Sequence, residues 1–367
     1  MNNKSLESPA PTTNPAPRPH LPLANREGIH LALGGGAAKG LAHIGVLKVL
    51  QRHNLPIASI AGTSMGSMVG ALYAINRDAQ VVESKFLEFV HSDMYRRARK
   101  HFIEAADEAR QEKNSFSFRN LLKNGLLFSR SLRTGCMIPM DDFRDCFSAL
   151  LPNKTFAETS LPFFAVAAEL NRKREAVFDS GLIRSAVMAS CAIPGVFPPV
   201  RTHDAIYVDG SWVNKVPTAP LQAFGARHVL GIDVTEMEET NEVNSRRGFS
   251  ILQRANQVAF ERLEAYQAAN ASLMWHPPMP NLHWGDFIKV APAVKVGIDY
   301  AEAHLGELEK LLEPPPPPLL PPPPPRYHGW WPFKKKVAPA PEPPPPPLPP
   351  PLGFDRCGIW EISRLDE

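Results

Sequence analysis

Residues 29–77 read IHLALGGGAAKGLAHIGVLKVLQRHNLPIASIAGTSMGSMVGALYAINR, and their alternation decides the fold class. IHLAL (29–33) is a short continuous apolar run that ends in three glycines, the form of a buried strand. AKGLAHIGVLKVLQRH (38–53) follows with apolar residues at helical spacing. PIASIAG (56–62) then reads as a second strand and MGSMVGALYAINR (65–77) as a second helix. Strand, helix, strand and helix within about 50 residues predict a parallel sheet covered by helices.

Further along, residues 80–150 are charged and mostly helical in pattern, and FFAVAAEL (163–170) and AVFDSG (176–181) return to strand character. LIRSAVMASCAI (182–193) predicts a helix stopped by Pro194. AIYVDGS (205–211) is a strand running into a turn, and HVLGIDV (228–234) is another buried strand. TEMEETNEVNSRRG (235–248) reads as an exposed loop, with helical patterns over 251–272 and 297–312.

Composition sets the limits of the folded part. Of 40 prolines, 21 lie between Pro314 and Pro351 and six in the first 22 residues, so the two ends differ from the middle. Residues 1–27 are expected to be a disordered Pro-rich N-terminus and 28–313 one folded domain. Residues 314–352 read as an extended arm, since polyproline cannot build a core, and 353–367 as a short C-terminal tail that could dock back. The arm carries RYHGWWPFKKK, in which Trp330, Trp331, Phe333 and the lysines 334–336 suit a membrane interface or a protein partner.

A formal net charge of +3 without a basic stripe argues against nucleic acid. No window reaches the roughly 18 apolar residues of a membrane span. The N-terminal stretch has no apolar segment of the secretory kind, so a cytoplasmic protein with peripheral membrane contact is expected. Cys136, Cys146, Cys191 and Cys357 lack metal-ligand spacing and read as reduced thiols; no metal or cofactor is expected.

Two glycine-rich turns, each after a strand and before a helix, carry the chemistry. In the first, Gly34-x-Gly36-x-x-x-Gly40 is one residue too long for a dinucleotide fingerprint, and Lys39 precedes a glycine rather than Ser or Thr. The remaining use for Gly34, Gly35 and Gly36 is an anion cradle, with unshielded backbone N–H groups facing a transient oxyanion. The second turn, Gly62-Thr63-Ser64-Met65-Gly66, is a G-x-S-x-G elbow in which Gly62 and Gly66 allow a strained turn that lifts the Ser64 hydroxyl clear of the backbone.

Serine needs a base. Ser64, Asp209 and His228 satisfy the hydrolase order formally. However, only two strands precede Ser64, no H-G-G-G motif is present, and His228 starts an apolar strand at a surface position. Activation by carboxylate alone remains, with Asp209 at the end of a strand as the leading group, although Asp209-Gly210 is also a good turn former. His43 reads as a hydrogen-bonded packing residue. Residues 94–113 and 118–133 read as amphipathic helix packed on the core, with an interfacial lid as the alternative.

Three blocks, LALGGGAAKGLAHIGVLKVL, IAGTSMGSMVGALYA and YVDGSWVNKVPTAPL, resemble the oxyanion loop, nucleophile elbow and D-G-[GA] motif of patatin-like phospholipases. ASCAIPGVFPPV (189–200) is similar to the Pro-containing block of the same family, and the likeness is greatest to the bacterial branch that resembles the catalytic domain of neuropathy target esterase. The resemblance covers about residues 28–235. It implies a three-layer α/β/α sandwich with a mostly parallel central sheet and a Ser64–Asp209 dyad without histidine. It also implies an oxyanion hole from the backbone of Gly35 and Gly36, with Gly34 and Lys39 completing the loop; the charge of Lys39 separately suits an anionic headgroup or a solvated helix start. The third motif departs from the family pattern, with Ser211 where a glycine or alanine is usual.

The mechanism so implied is attack by Ser64 on an acyl carbonyl, with Asp209 taking the proton, then hydrolysis of the acyl-enzyme. An ordinary aspartate pKa of about 3.9 makes a feeble base, so the site must raise it. The expected substrate is a phospholipid, lysophospholipid or other lipid ester. The alternative is a membrane- or partner-tethering scaffold carrying a weakly active domain.

Overall fold

A computed structural model describes residues 26–99, 138–235, 248–279, 285–313 and 355–359, together with Leu23, Cys136 and Leu282. The Pro-rich arm and most of the lid segment lie outside the described residues.

The two strand–helix units of 29–77 form as the sequence predicts. β1 (Ile29–Leu33) pairs in parallel with β2 (Ile57–Thr63), and β2 with β3 (Phe163–Glu169). β1, β2 and β3 are buried along their whole length, which explains why they read as continuous apolar runs rather than alternating ones. Two of their buried polar residues face each other, His30 Nδ1 and Ser59 Oγ being 2.7 Å apart, and Glu169 is met by Arg172 and Arg174.

On the far side of β3, β4 (Arg174–Gly181) returns antiparallel. β5 (Val200–Arg201) and β6 (Ile206–Asp209) form an antiparallel pair. β6 takes over from β2 along the second half of β3, Ala167 facing Asp209. Beyond β1, β7 (Val229–Ile232) and β8 (Leu273–Trp275) continue the parallel sheet. β9 (Asp355–Ile359) adds in parallel to β4. The sheet is thus mixed and mostly parallel, with helices on both faces.

The two faces are covered unequally. Ile29, Leu31 and Leu33 point into the larger core, while Ala32 between them points into the smaller one, as the two-residue period requires. The larger core is built by α1 (Ala42–Arg52), α2 (Met65–Asn76), α3 (Ala79–Val90), α4 (Met140–Leu150) and α5 (Ile183–Ser190). The smaller holds α6 (Thr218–Ala223), with Phe164 stacked on Phe224 at 4.7 Å. Local signals set the helix starts: the Asp78 carboxylate accepts the Gln80 N–H at 2.8 Å ahead of α3. Pro139 precedes α4, whose first turn carries Asp141 and Asp142.

Several boundaries differ from expectation. Leu23 lies within the stretch expected to be disordered, yet it is buried in the smaller core and its N–H donates to Phe224 O at 2.8 Å. The helical pattern expected over 251–272 is α7 (Gly248–Ala268), which starts and ends earlier and is followed by the separate strand β8. α8 (Val290–Leu312) starts seven residues before 297, because Pro292 falls in its first turn, where its missing N–H costs nothing. Residues 93–99 are helical, with Tyr95 and Ala98 buried, so this part of the lid segment packs inward.

Candidate active site

β2 ends at Thr63 and α2 begins at Met65, leaving Ser64 alone to turn the chain. Its φ of 52° and ψ of −125° are costly for a residue with a Cβ, on the order of 1–3 kcal/mol. The flanking glycines make the turn possible. A Cβ on Gly66 would stand 2.1 Å from Leu33 O, and one on Gly62 would stand 2.5 Å from Gly66 O.

Hydrogen bonds from three other elements hold the strain in place. Ser64 N–H donates to Ser190 Oγ at 2.9 Å, and the Ser190 hydroxyl donates to Val166 O at 2.5 Å. The Ser67 hydroxyl donates to Ser64 O at 2.7 Å, and the Thr63 hydroxyl donates to Asn214 O at 2.8 Å.

Asp209 ends β6, and its N–H donates to Ala192 O at 2.9 Å, just past the end of α5. Oδ1 accepts the Ser211 N–H at 2.8 Å, whereas Oδ2 is buried with no hydrogen-bond partner. Burial pushes the carboxyl up to about 6, against the pull of the Ser64 hydroxyl and of the Ser211 N–H and hydroxyl. The fold therefore brings Ser64 beside Asp209 across 145 residues and leaves one carboxylate oxygen free to receive a proton. Ser211 adds a hydroxyl that lowers the Asp209 pKa, which a glycine or alanine would not supply.

The glycine loop lies against both groups. A Cβ on Gly35 would meet Ser211 Oγ at 2.4 Å and Ser64 Cβ at 3.3 Å. The loop's donors are fewer than the three glycines suggest. Gly34 N–H donates to Ile232 O at 2.9 Å and Gly35 N–H to Lys215 O at 3.1 Å, so both are already spent. Gly36 and Ala37 N–H have no such acceptor among the described residues, and Ala37 adopts a φ of 47°. Lys39 is half-buried on the short helical turn 37–41. His43, fully buried, sits 2.8 Å from Gly34 O through Nε2, and burial lowers its pKa to about 4; it braces the loop as a neutral ring.

A cavity opens at Ser64. Its walls are Ala37, Met65 and Met68, the aromatic rings of Phe86, Phe89, Phe143, Phe147, Phe197 and Phe287, and the side chains of Tyr95, Ile138, Leu150 and Ile193. Cys146 and Cys191 also line it. The lining is almost wholly apolar, as ligand pockets usually are.

His228 is placed elsewhere. It precedes Val229, which pairs with His30 in the row of Ser59, five residues back along β2 from Ser64. One residue further back than that row, and at about 3.3 Å per residue, it stands roughly 20 Å away along the strand direction, at the opposite end of the sheet. Sequence reasoning missed Ser190, Asn214 and Lys215. Lys215 Nζ reaches Asp233 Oδ2 at 3.0 Å and Glu264 Oε2 at 3.3 Å, pinning the turn after Asp209 to α7. Asn214 Nδ2–H donates to Glu175 Oε1 at 3.0 Å. All three lie inside or beside the matched motifs, but nothing in their local pattern separates a bracing side chain from a surface one. Among the described residues no cluster of His, Cys, Asp and Glu is arranged to hold a metal ion.

Comparison with known proteins agrees with this geometry. The patatin-like phospholipase family model matches residues 31–221. Lysophospholipase NTE1 of Scheffersomyces stipitis is 23% identical over 304 residues, covering 76% of this chain and 18% of the relative. Patatin-like phospholipase domain-containing protein 6 of Mus musculus is 28% identical over 215 residues, covering 58% of this chain and 14% of the relative. The chain therefore spans less than a fifth of the length of either. The crystal structure of VipD from Legionella pneumophila aligns with a TM-score of 0.40 at 15% identity, over 77% of this chain and 67% of that one. With its family match running from β1 through the elbow and Asp209 to α6, the chain belongs to the patatin-like phospholipase family.

Proposed function

We propose that the protein hydrolyses carboxylic esters of phospholipids or lysophospholipids through a Ser64–Asp209 dyad and an acyl-enzyme. The observation that carries this reading is the strained Ser64 beside a buried carboxylate, at the mouth of an apolar cavity. The cavity would take the acyl chain, since an alkyl chain gains about 0.8 kcal/mol per buried CH₂. Ser64 attacks the acyl carbonyl and passes its proton to Asp209 Oδ2. The Gly36 and Ala37 N–H groups stabilise the oxyanion, while Gly34 and Gly35 shape the loop that presents them. The alcohol leaves with that proton, and Asp209 then activates water against the acyl-enzyme.

Lys39 stands on the same loop and would meet an anionic headgroup. α7 presents Ile251, Leu252, Val258 and Tyr266 half or more exposed, with Arg246, Arg247 and Arg262 nearby in sequence, which suits an anionic lipid surface. No helix among the described residues is long and apolar enough to cross a membrane.

A fluorophosphonate probe tests the reading. Labelling that is lost in Ser64→Ala, together with loss of ester hydrolysis in both Ser64→Ala and Asp209→Asn but not in His228→Ala, is the expected result. Failure to label the intact chain would leave the scaffold reading in possession.

A further inference from the structure

The Pro-rich arm ends in a strand. Residues 314–354 contain 21 prolines, and immediately after them Asp355–Ile359 pairs in parallel with β4. Ile359 is buried in the larger core, at 1% exposure. Gly181, at a φ of +88°, accepts the backbone of Ile359 so closely that a Cβ would stand 2.0 Å from its oxygen. The last bond of the pairing is Leu182 N–H to Ile359 O at 2.7 Å.

Leu182 is also the residue from which α5 starts. Eight residues on, α5 ends at Ser190, whose hydroxyl holds the Ser64 N–H, and Ala192 O holds the Asp209 N–H. The docked strand thus fixes one end of the helix whose other end fixes both members of the dyad.

From this juxtaposition we propose that the β4 edge is a strand-docking site whose occupant is the chain's own C-terminal segment, and that docking positions the dyad. Ile359 and its neighbours act through α5 as positioning residues and touch no substrate. Residues 314–354, 41 in all, link the strand to α8. What keeps it there is the backbone ladder and the buried Ile359, so an untethered peptide of the same sequence fits the same edge. The site is then exchangeable, and anything that pulls on the arm switches the enzyme down.

The proposal rests on the Ser64 nucleophile for its kinetic arm but not for its binding arm. The chain is truncated after Leu352, and a synthetic peptide of residues 353–367 is supplied. We expect kcat to fall by about tenfold or more with KM little changed, and the peptide to restore it. A fluorescent copy of the peptide should bind the truncated chain and not the intact one, and a peptide carrying Ile359→Asp should neither bind nor restore. A truncated chain that keeps full kcat overturns the proposal, as does a folded truncated chain that the wild-type peptide neither binds nor rescues. Should truncation prevent folding, the full chain is instead cut at a protease site placed in the arm. Exchange of the retained strand for the labelled peptide then supports the proposal, and its absence overturns it. An intact chain without ester hydrolysis removes the reading of Ser64 while the binding arm still reports on the docking site.

Discussion

Asp209 is a carboxylate kept where ionisation is costly, and that cost is part of the chemistry. Moved from 3.8 to about 6, its ionised form is disfavoured by about 3 kcal/mol in the folded chain. The folded state holds its proton to higher pH than the unfolded one. The associated stability is therefore complete below about 4 and is lost as pH rises through about 6. Activity runs the other way, since only the ionised carboxylate can take the Ser64 proton, so turnover should climb with pH through about 6. Asp209→Asn should then abolish hydrolysis yet raise the unfolding free energy at pH 7.5 by up to about 3 kcal/mol, a gain that vanishes near pH 4. Thermal denaturation of the two proteins across that range checks it; a variant less stable than the parent at pH 7.5 contradicts it. Ser211→Ala removes a hydroxyl that pulls the Asp209 pKa down, so its acidic limb should move to higher pH in a pH–rate profile. Ser64 and Asp209, which the fold places side by side, were legible in the sequence because each sits in a short turn whose glycines are dictated by close approach. The donors of the oxyanion loop were not, because which N–H is free depends on the carbonyls of Ile232 and Lys215, some 180 to 200 residues away.

α5 connects Ser64 and Asp209, the two members of the proposed dyad. The Ser190 hydroxyl accepts from Ser64 N–H and donates to Val166 O, so one side chain ties the elbow, the helix end and β3 together in a buried place. Ser190→Ala strands one donor and one acceptor there, each costing about 1–3 kcal/mol when left unsatisfied. The expected result is lower stability together with a fall in kcat of about tenfold or more, since the elbow relaxes toward ordinary backbone angles. Ser190→Thr keeps the hydroxyl and should recover part of the turnover, which distinguishes lost positioning from lost packing. Unchanged single-turnover acylation in Ser190→Ala would refute the role. The sequence pattern of this region, an apolar helix before Pro194, was plain, but the bond it makes to Ser64 was not. β1, β2, β3 and β7 were equally plain as buried apolar runs. β5 and β8 were missed, and β9 was read only as a tail that could dock back, because such short strands without a continuous apolar run owe their form to the neighbour they pair with.

The unequal covering of the sheet gives the molecule a direction. The elbow, Asp209 and the glycine loop all lie at the carboxyl ends of the parallel strands, while His228 marks the opposite end. α7 lies over the turn that follows Asp209: Phe260 packs edge-on against Trp212 at 5.1 Å, and Glu264 reaches Lys215. Its outer face is apolar, with Ile251, Val258 and Tyr266 recurring every seven or eight residues and Leu252 beside them. On the proposed function, an apolar stripe of this kind beside a site that opens into an apolar cavity suits contact with a lipid surface. Replacing Val258 with Asp, alone and with Ile251→Asp, puts charge on that stripe without touching Phe260, Glu264 or the cavity walls. Hydrolysis of anionic phospholipid vesicles should fall by about tenfold, while hydrolysis of a short water-soluble ester stays within about twofold of the parent, because the loss lies in surface binding and not in chemistry. Co-sedimentation with the same vesicles should fall in parallel. Equal losses on both substrates would mean that the helix supports the catalytic turn rather than the lipid contact, and unchanged vesicle hydrolysis would move the contact to another face.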